Sequence, residues 1–75
     1  MGSLPTLSGA DVVKAFARGG WRIVRHRGSH MILVKDAHMA TLSVPDHREV
    51  AKGTLRSLIR SSGLTVDEFA ALVGK

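Results

Sequence analysis

The chain has 75 residues and no cysteine, and its 11 Lys and Arg residues outnumber its 6 Asp and Glu residues, for a formal net charge of +5. The length predicts one small domain over residues 1–75, and the missing cysteines exclude disulfides, thiolate metal ligands and a cysteine nucleophile. No apolar run approaches the roughly 20 residues that span a membrane, so we expect a basic cytoplasmic protein without membrane association.

The first helix is predicted over Gly9–Arg18, after an irregular lead-in at residues 1–7. Ser8 can cap this helix, and Asp11 follows at the spacing of a capping box with the shorter acid. The apolar positions inside the helix have the 3.6-residue period of a buried stripe, and they are Val12, Val13, Phe16 and Ala17. Gly19-Gly20 then ends the helix.

Three strands are predicted next, at Trp21–Arg27, His30–Val34 and Met39–Val44. In the first strand, alternation puts one set of side chains on each face: Trp21, Ile23 and Arg25 against Arg22, Val24 and His26. The turns at Gly28-Ser29 and Asp36–His38 are too short for a crossover, so the strands form an antiparallel meander. One face of this sheet packs on helices, and the other is free for solvent or a ligand.

A polar loop at residues 46–53 and two helices complete the prediction. The longer helix spans about Thr54–Ser62, ends at Gly63, and faces the core with Leu55, Leu58 and Ile59. Thr65 and Glu68 have the spacing of a capping box, which opens a short C-terminal helix carrying Phe69, Leu72 and Val73. The order helix, three strands, helix, helix predicts an α+β fold, and the three aromatic residues are all predicted to lie in the core.

The positive charge is concentrated in the first half of the chain. Residues 1–35 contain six Lys and Arg and one acid, whereas residues 36–75 contain five of each. No acid occurs between Arg18 and Lys35. Such a field attracts phosphate-rich partners, although a solvated basic face that maintains solubility has the same composition.

Histidine is the natural candidate for catalysis in a chain without cysteine. The four histidines are His26, His30, His38 and His47. Their spacing is not typical of a metal site, so we expect no metal and no cofactor. His30 follows Gly28-Ser29, directly after Arg25 and Arg27. The simplest interpretation of His30 is a residue beside a turn with an ordinary hydrogen bond.

RNA cleavage is the chemistry that suits a histidine beside two arginines. An imidazole takes up and returns protons near neutral pH, and arginine binds phosphate. The ribose 2′-OH is already positioned to attack its own phosphodiester, so the protein must supply acid–base assistance and charge stabilisation.

Four motifs follow one another between Gly20 and Phe69, within a pattern that covers essentially residues 8–73. They are Gly20-Trp21-x-x-x-Arg25-x-x-Gly28-Ser29-His30, Val44-Pro45-x-His47, Lys52-Gly53-Thr54-Leu55-Arg56, and Gly63-Leu64-Thr65 with Glu68-Phe69. As an ordered series, these motifs resemble the HicA toxin family, the small mRNA interferases of HicA–HicB toxin–antitoxin pairs. The resemblance implies a fold similar to double-stranded RNA-binding domains, a catalytic histidine at the Gly-Ser-His position, which is His30 here, and a HicB-type antitoxin that covers the site.

The combined hypothesis is a metal-independent endoribonuclease toxin that cleaves mRNA, with His30 as general base or acid. The residues expected to hold substrate and phosphate are Arg22, Arg25, Arg27, Gly28, Ser29 and Lys52. His47 is a second candidate, either as the acid partner of His30 or as a residue that fixes its loop. We expect the toxin alone to be a monomer. The alternative is a non-catalytic RNA-binding module of the same fold.

Overall fold

The computed structural model describes residues 4–74, which form three helices and a three-stranded sheet. In chain order the elements are α1 at Gly9–Arg18, β1 at Arg22–Arg27, β2 at His30–Val34, β3 at Leu42–Pro45, α2 at Lys52–Ser62 and α3 at Val66–Leu72. The predicted α+β class and order of elements are confirmed. The first three residues of the predicted lead-in, and Lys75, lie outside the described residues.

Local capping signals account for the helix ends. The Oγ of Ser8 accepts a hydrogen bond from the Asp11 backbone N–H at 3.1 Å, which gives α1 its predicted start. At α3 the capping box is complete, because Thr65 and Glu68 exchange side-chain to backbone hydrogen bonds of 2.8 and 3.0 Å. Gly63 ends α2 in the left-handed conformation, with φ of 83°.

Two element boundaries differ from the prediction by two or three residues. β3 begins at Leu42 instead of Met39, whose side chain is 99% exposed and outside the sheet. α2 begins at Lys52 instead of Thr54, and the Leu55 N–H donates to the Ala51 carbonyl at 2.9 Å as the first helical bond.

The helices cover one face of the sheet and enclose the core with it. Phe16 packs on Phe69, with ring centroids 4.9 Å apart. It also packs edge-to-face with Trp21, with ring centroids 6.3 Å apart. All three rings are buried, which confirms their predicted place in the core. In the described part of the chain no helix is long and apolar enough to cross a membrane.

The predicted lead-in and polar loop contribute to this core, which the sequence pattern did not indicate. Residues 4–8 are irregular, yet Leu4 and Leu7 are buried. In the loop after β3, Val50 is buried and only 2% exposed. The Val50 N–H donates to the Leu7 carbonyl at 2.8 Å, so the two segments pack against each other. The loop predicted to be polar therefore also contributes an apolar side chain to the core.

The sheet has the order β1-β2-β3, and both pairs of neighbours are antiparallel. Along β2, Met31 and Leu33 are buried against the helices, so the alternating residues point away from them. We call that second side the open face; it carries Arg22, Arg25, Arg27, His30, Ile32, Val34 and Ser43.

Candidate functional site

A two-residue turn presents His30 to the open face. Gly28-Ser29 joins β1 to β2, and Arg27 and His30 are the pair that flanks it. Gly28 has φ of 58°, whereas Ser29 is not among the residues with positive φ. A positive φ at the first of two turn positions is the geometry that selects glycine there in a type II′ hairpin. The turn therefore places His30 at the first residue of β2, directly opposite Arg27.

Cross-strand pairing gathers the predicted arginines beside His30. Directly opposed residues of antiparallel strands share a face, and the register pairs Arg27 with His30, Arg25 with Ile32, and Arg22 with Val34. The three arginines of β1 thus follow β2 along the open face. All three side chains, and that of His30, are exposed.

The predicted alternation of β1 is wrong, because the strand contains a bulge. The register shifts between Ile23, which pairs with Leu33, and Arg25, which pairs with Ile32, so Val24 has no partner in β2. One extra residue reverses the alternation from that point. Arg22 therefore shares the open face with Arg25, whereas simple alternation placed them on opposite sides.

His30 lies in a shallow depression on the open face. Its volume is about 290 Å³, and it is lined by Arg27, His30, Ile32 and Ser43. We call it the His30 depression. Because both groups line one depression, they can act on the same bound molecule. The imidazole can take up or release a proton, and the guanidinium can neutralise a phosphate.

Arg22 is engaged with an acid at the far end of the same face. Its guanidinium donates to the carboxylate of Asp36 at 2.8 Å, and both side chains are exposed. Such surface pairs are weak, but the carboxylate offsets the charge of Arg22. Within residues 4–74 no ion pair involves Arg25 or Arg27, which are the two arginines nearest His30 in the register.

His47 lies in a segment that is hydrogen-bonded to its surroundings through the backbone. Pro45 pairs with His30 in the sheet, and the Asp46 N–H donates to the Ser29 carbonyl at 2.6 Å. The His47 carbonyl accepts from the Gly9 N–H at 2.8 Å, while the His47 side chain is exposed. The backbone of this segment is thus held beside the turn that carries His30.

Lys52 is the predicted site residue that the structure does not join to the others. It is the first residue of α2 and is exposed. Within residues 4–74, no hydrogen bond or ion pair links it to the residues of the His30 depression.

The other two histidines are not part of the open face. His26 is exposed and pairs with Met31, on the side of the sheet that faces the helices. His38 is half-buried. Its ring packs edge-to-face with that of Trp21, with centroids 4.9 Å apart, and its Nε2 is 3.0 Å from the Ser61 carbonyl oxygen. Among residues 4–74, no three His, Cys, Asp or Glu side chains are grouped so that they could hold a metal ion.

Ile32 and Ser43 line the site but were not predicted from the sequence. The position of Ile32 follows from the two-residue period of β2, which puts it on the same face as His30. Ser43 comes from β3 and reaches the site only through its pairing with Ile32. A signal for Ile32 was therefore present in the sequence, whereas Ser43 required the register of the sheet.

Comparison with known proteins identifies the family. No curated protein matches the chain. Residues 9–64, about three quarters of the chain and including the Gly28-Ser29 turn and His30, match the family described as the HicA toxin of bacterial toxin–antitoxin. The chain therefore belongs to the HicA toxin family and is the toxin of a bacterial toxin–antitoxin system.

Proposed function

We propose that this toxin is an mRNA-cleaving endoribonuclease that uses His30 for acid–base catalysis and needs no metal ion. The observation that carries the proposal is the depression that His30 shares with Arg27 on the open face. Arg25 lies on the same face two residues before Arg27 in β1, where it pairs with Ile32. These are the two functions, proton transfer and phosphate binding, that cleavage of RNA by its own 2′-OH requires.

The reaction is a transfer of the phosphodiester within the RNA. Arg27 and Arg25 bind the non-bridging phosphate oxygens, and His30 accepts the proton of the 2′-OH. The bond from the 2′-oxygen to phosphorus forms while the bond from phosphorus to the 5′-oxygen breaks. The leaving 5′-oxygen takes up a proton, either from the imidazolium of His30 or from His47, and the products are a 2′,3′-cyclic phosphate and a 5′-OH end.

The remaining predicted residues support binding in this scheme. Gly28 and Ser29 form the turn that orients His30, and Arg22 and Lys52 add positive charge for more distant phosphates. The cytoplasmic partner is a HicB-type antitoxin that covers the open face of a monomeric toxin. Charge complementarity favours such a partner, because the exposed arginines attract an acidic protein surface as they attract an RNA backbone.

The first prediction concerns His30. Replacing His30 with Ala lowers kcat/KM for RNA cleavage by about 10²–10⁴, the usual contribution of a general acid or base. The fold is unchanged because the side chain is exposed, and RNA affinity is unchanged because the arginines bind the phosphates. Cleavage of a labelled single-stranded RNA is followed in the presence of a chelator, and affinity is measured with a 2′-O-methylated RNA.

His26→Ala is the matched control, because His26 is an exposed histidine of the neighbouring strand on the other side of the sheet. It should cleave like wild type. Equal cleavage by the wild-type and His30→Ala proteins would remove His30 from the mechanism, and cleavage that chelators abolish would contradict the metal-independent scheme. RNA binding by the wild type without cleavage would favour the alternative of a binding module. Growth arrest on expression, lost in His30→Ala, is the corresponding test in cells.

A further inference from the structure

The open face beyond His30 is more apolar than a solvated sheet face normally is. Antiparallel sheets with one free face usually carry polar residues on it. Here Ile32 and Val34 follow His30 on β2 and are half-buried, and Val24 of β1 is 50% exposed. A patch of aliphatic side chains bordered by arginines is typical of a binding surface.

These aliphatic side chains form a second depression next to the first. Its volume is about 340 Å³, within the range of ligand sites, and it is lined by Val24, Arg25, Arg27, Ile32, Val34 and Thr41. Arg27 and Ile32 also line the His30 depression. Since alternate residues of a strand are about 6.6 Å apart, the second depression begins one side-chain position from the reacting centre.

The bulge in β1 gives the second depression its composition. Because Val24 is the extra residue between the Leu33 and Ile32 pairs, both Val24 and the adjacent Arg25 line this depression. In a regular strand, consecutive side chains point to opposite faces. The bulge thus puts an apolar contact and a phosphate-binding group next to each other on the same side, as bulges near active sites often do.

We propose that the second depression is the subsite for a nucleotide that flanks the cleaved phosphodiester in single-stranded RNA. The base packs on Val24, Ile32 and Val34, and its phosphate binds Arg25 and Arg27. The inference rests on the proposed function, because it extends the site at His30 along the same strand of RNA.

Three features of the second depression favour this occupant. Among residues 4–74 its two charged lining residues are both arginines and no acid lines it, which suits a polyanion. It continues from the His30 depression, so one strand of RNA reaches both. Its floor is aliphatic and the three aromatic residues of the chain are buried, so the base contact is weaker than aromatic stacking and tolerant of base identity.

The test is a double substitution that changes polarity and keeps shape. Val24→Thr with Val34→Thr alters the floor of the second depression but none of the four residues that line the His30 depression. We expect the Kd for a 2′-O-methylated single-stranded oligouridylate to rise about five- to tenfold, near the lower limit of losing a stacking contact. Ile23→Thr is the control, since Ile23 is 42% exposed on the same strand but pairs with Leu33 on the other side; it should bind like wild type.

A second measurement uses the wild-type chain and does not depend on any variant. In NMR titrations, the same oligouridylate should shift the methyl signals of Val24, Ile32 and Val34, whereas inorganic phosphate should not. A shift of the His30 ring signals without these methyl shifts, or unchanged affinity in the double variant, would overturn the subsite. Methyl shifts produced by the antitoxin and not by RNA would also overturn it, in favour of a protein occupant.

The two proposals fail in different ways. Binding of the oligouridylate in the second depression by a protein that cleaves no RNA would refute the nuclease and leave the second depression as a nucleotide-binding site. Cleavage that depends on His30, with no loss of affinity in the double variant, would refute the subsite and leave the nuclease standing.

Discussion

At the scale of single residues, the basic side chains of the site are exposed and are positioned by the backbone that carries them. His30 lies on the open face because it follows a two-residue turn, and Arg27 lies beside it because the two flank that turn. Within residues 4–74, the arginine of this face that forms an ion pair is Arg22, whose guanidinium is 2.8 Å from the Asp36 carboxylate. The charge of Arg22 is therefore partly neutralised by Asp36, and Arg22 should attract a phosphate less strongly than Arg25 and Arg27 do.

Removing the carboxylate of Asp36 tests that difference. Asp36→Asn leaves Arg22 without its ionic partner on the open face, so we expect RNA to bind roughly two- to fivefold more tightly, the range expected for an exposed ion pair. Affinity for a non-cleavable RNA is measured near 0.15 M salt. Asp67→Asn makes the same change of charge in the first turn of α3, on the helical side of the molecule, and should change affinity less. Equal effects of the two variants would show that net charge alone determines affinity.

At the scale of elements, the site depends on how the segment after β3 is held against α1. The Gly9 N–H donates to the His47 carbonyl. A Cβ at Gly9 would collide with the carbonyl oxygen of Pro45 and would lie 3.0 Å from the Cα of Asp46. Since Pro45 pairs with His30, this close approach connects the start of α1 to the position of the candidate catalytic residue.

Gly9→Ala should therefore damage both stability and cleavage. We expect the free energy of unfolding to fall by about 1–3 kcal/mol, as in other overpacked sites, and kcat/KM to fall because the segment beside His30 must move. Gly53→Ala is the matched control, because a Cβ there meets nothing within 4 Å; an added methyl group in α2 should raise stability by up to about 1 kcal/mol. Chemical denaturation and RNA cleavage measure the two effects. A Gly9→Ala protein as stable and active as Gly53→Ala would contradict the proposed connection.

At the scale of the whole molecule, the fold distributes the positive charge unevenly over the surface. The sheet has helices on one side and the three arginines of β1 on the other, so three of the six positive residues of the first half of the chain lie on the same face as His30. Arg56 and Arg60 are exposed on α2, which packs on the helical side. The molecule thus has a basic face around the site and further basic residues away from it.

The salt dependence of RNA binding should distinguish these two sets of arginines. Arg25→Gln with Arg27→Gln removes two phosphate contacts, so the slope of log K against log salt should become shallower by roughly one to two, at about 0.7 for each contact with a single strand. Arg56→Gln with Arg60→Gln removes the same charge from α2 and should leave the slope nearly unchanged. Equal changes in the two double variants would place the RNA elsewhere than on the open face.

The sequence by itself determined the elements whose signals are local. Ser8 with Asp11, Gly63, and Thr65 with Glu68 predicted helix ends that the structure contains, because caps and left-handed glycines act within a few residues. The turn at Gly28-Ser29 likewise predicted the hairpin that places His30 next to Arg27. The motif series also indicated the family, since ordered spacing is itself a property of the sequence.

Only the tertiary structure decided which residues meet across elements. Arg22 joins the open face because a bulge at Val24 changes the register, and alternation along one strand carries no information about such a shift. Ser43 reaches the site through strand pairing, and Val50 becomes buried through a hydrogen bond from a loop to the lead-in. Each of these placements depends on contacts between residues distant in the chain, which no local pattern specifies, and the bulge puts the three arginines of β1 on one face with His30 at one end.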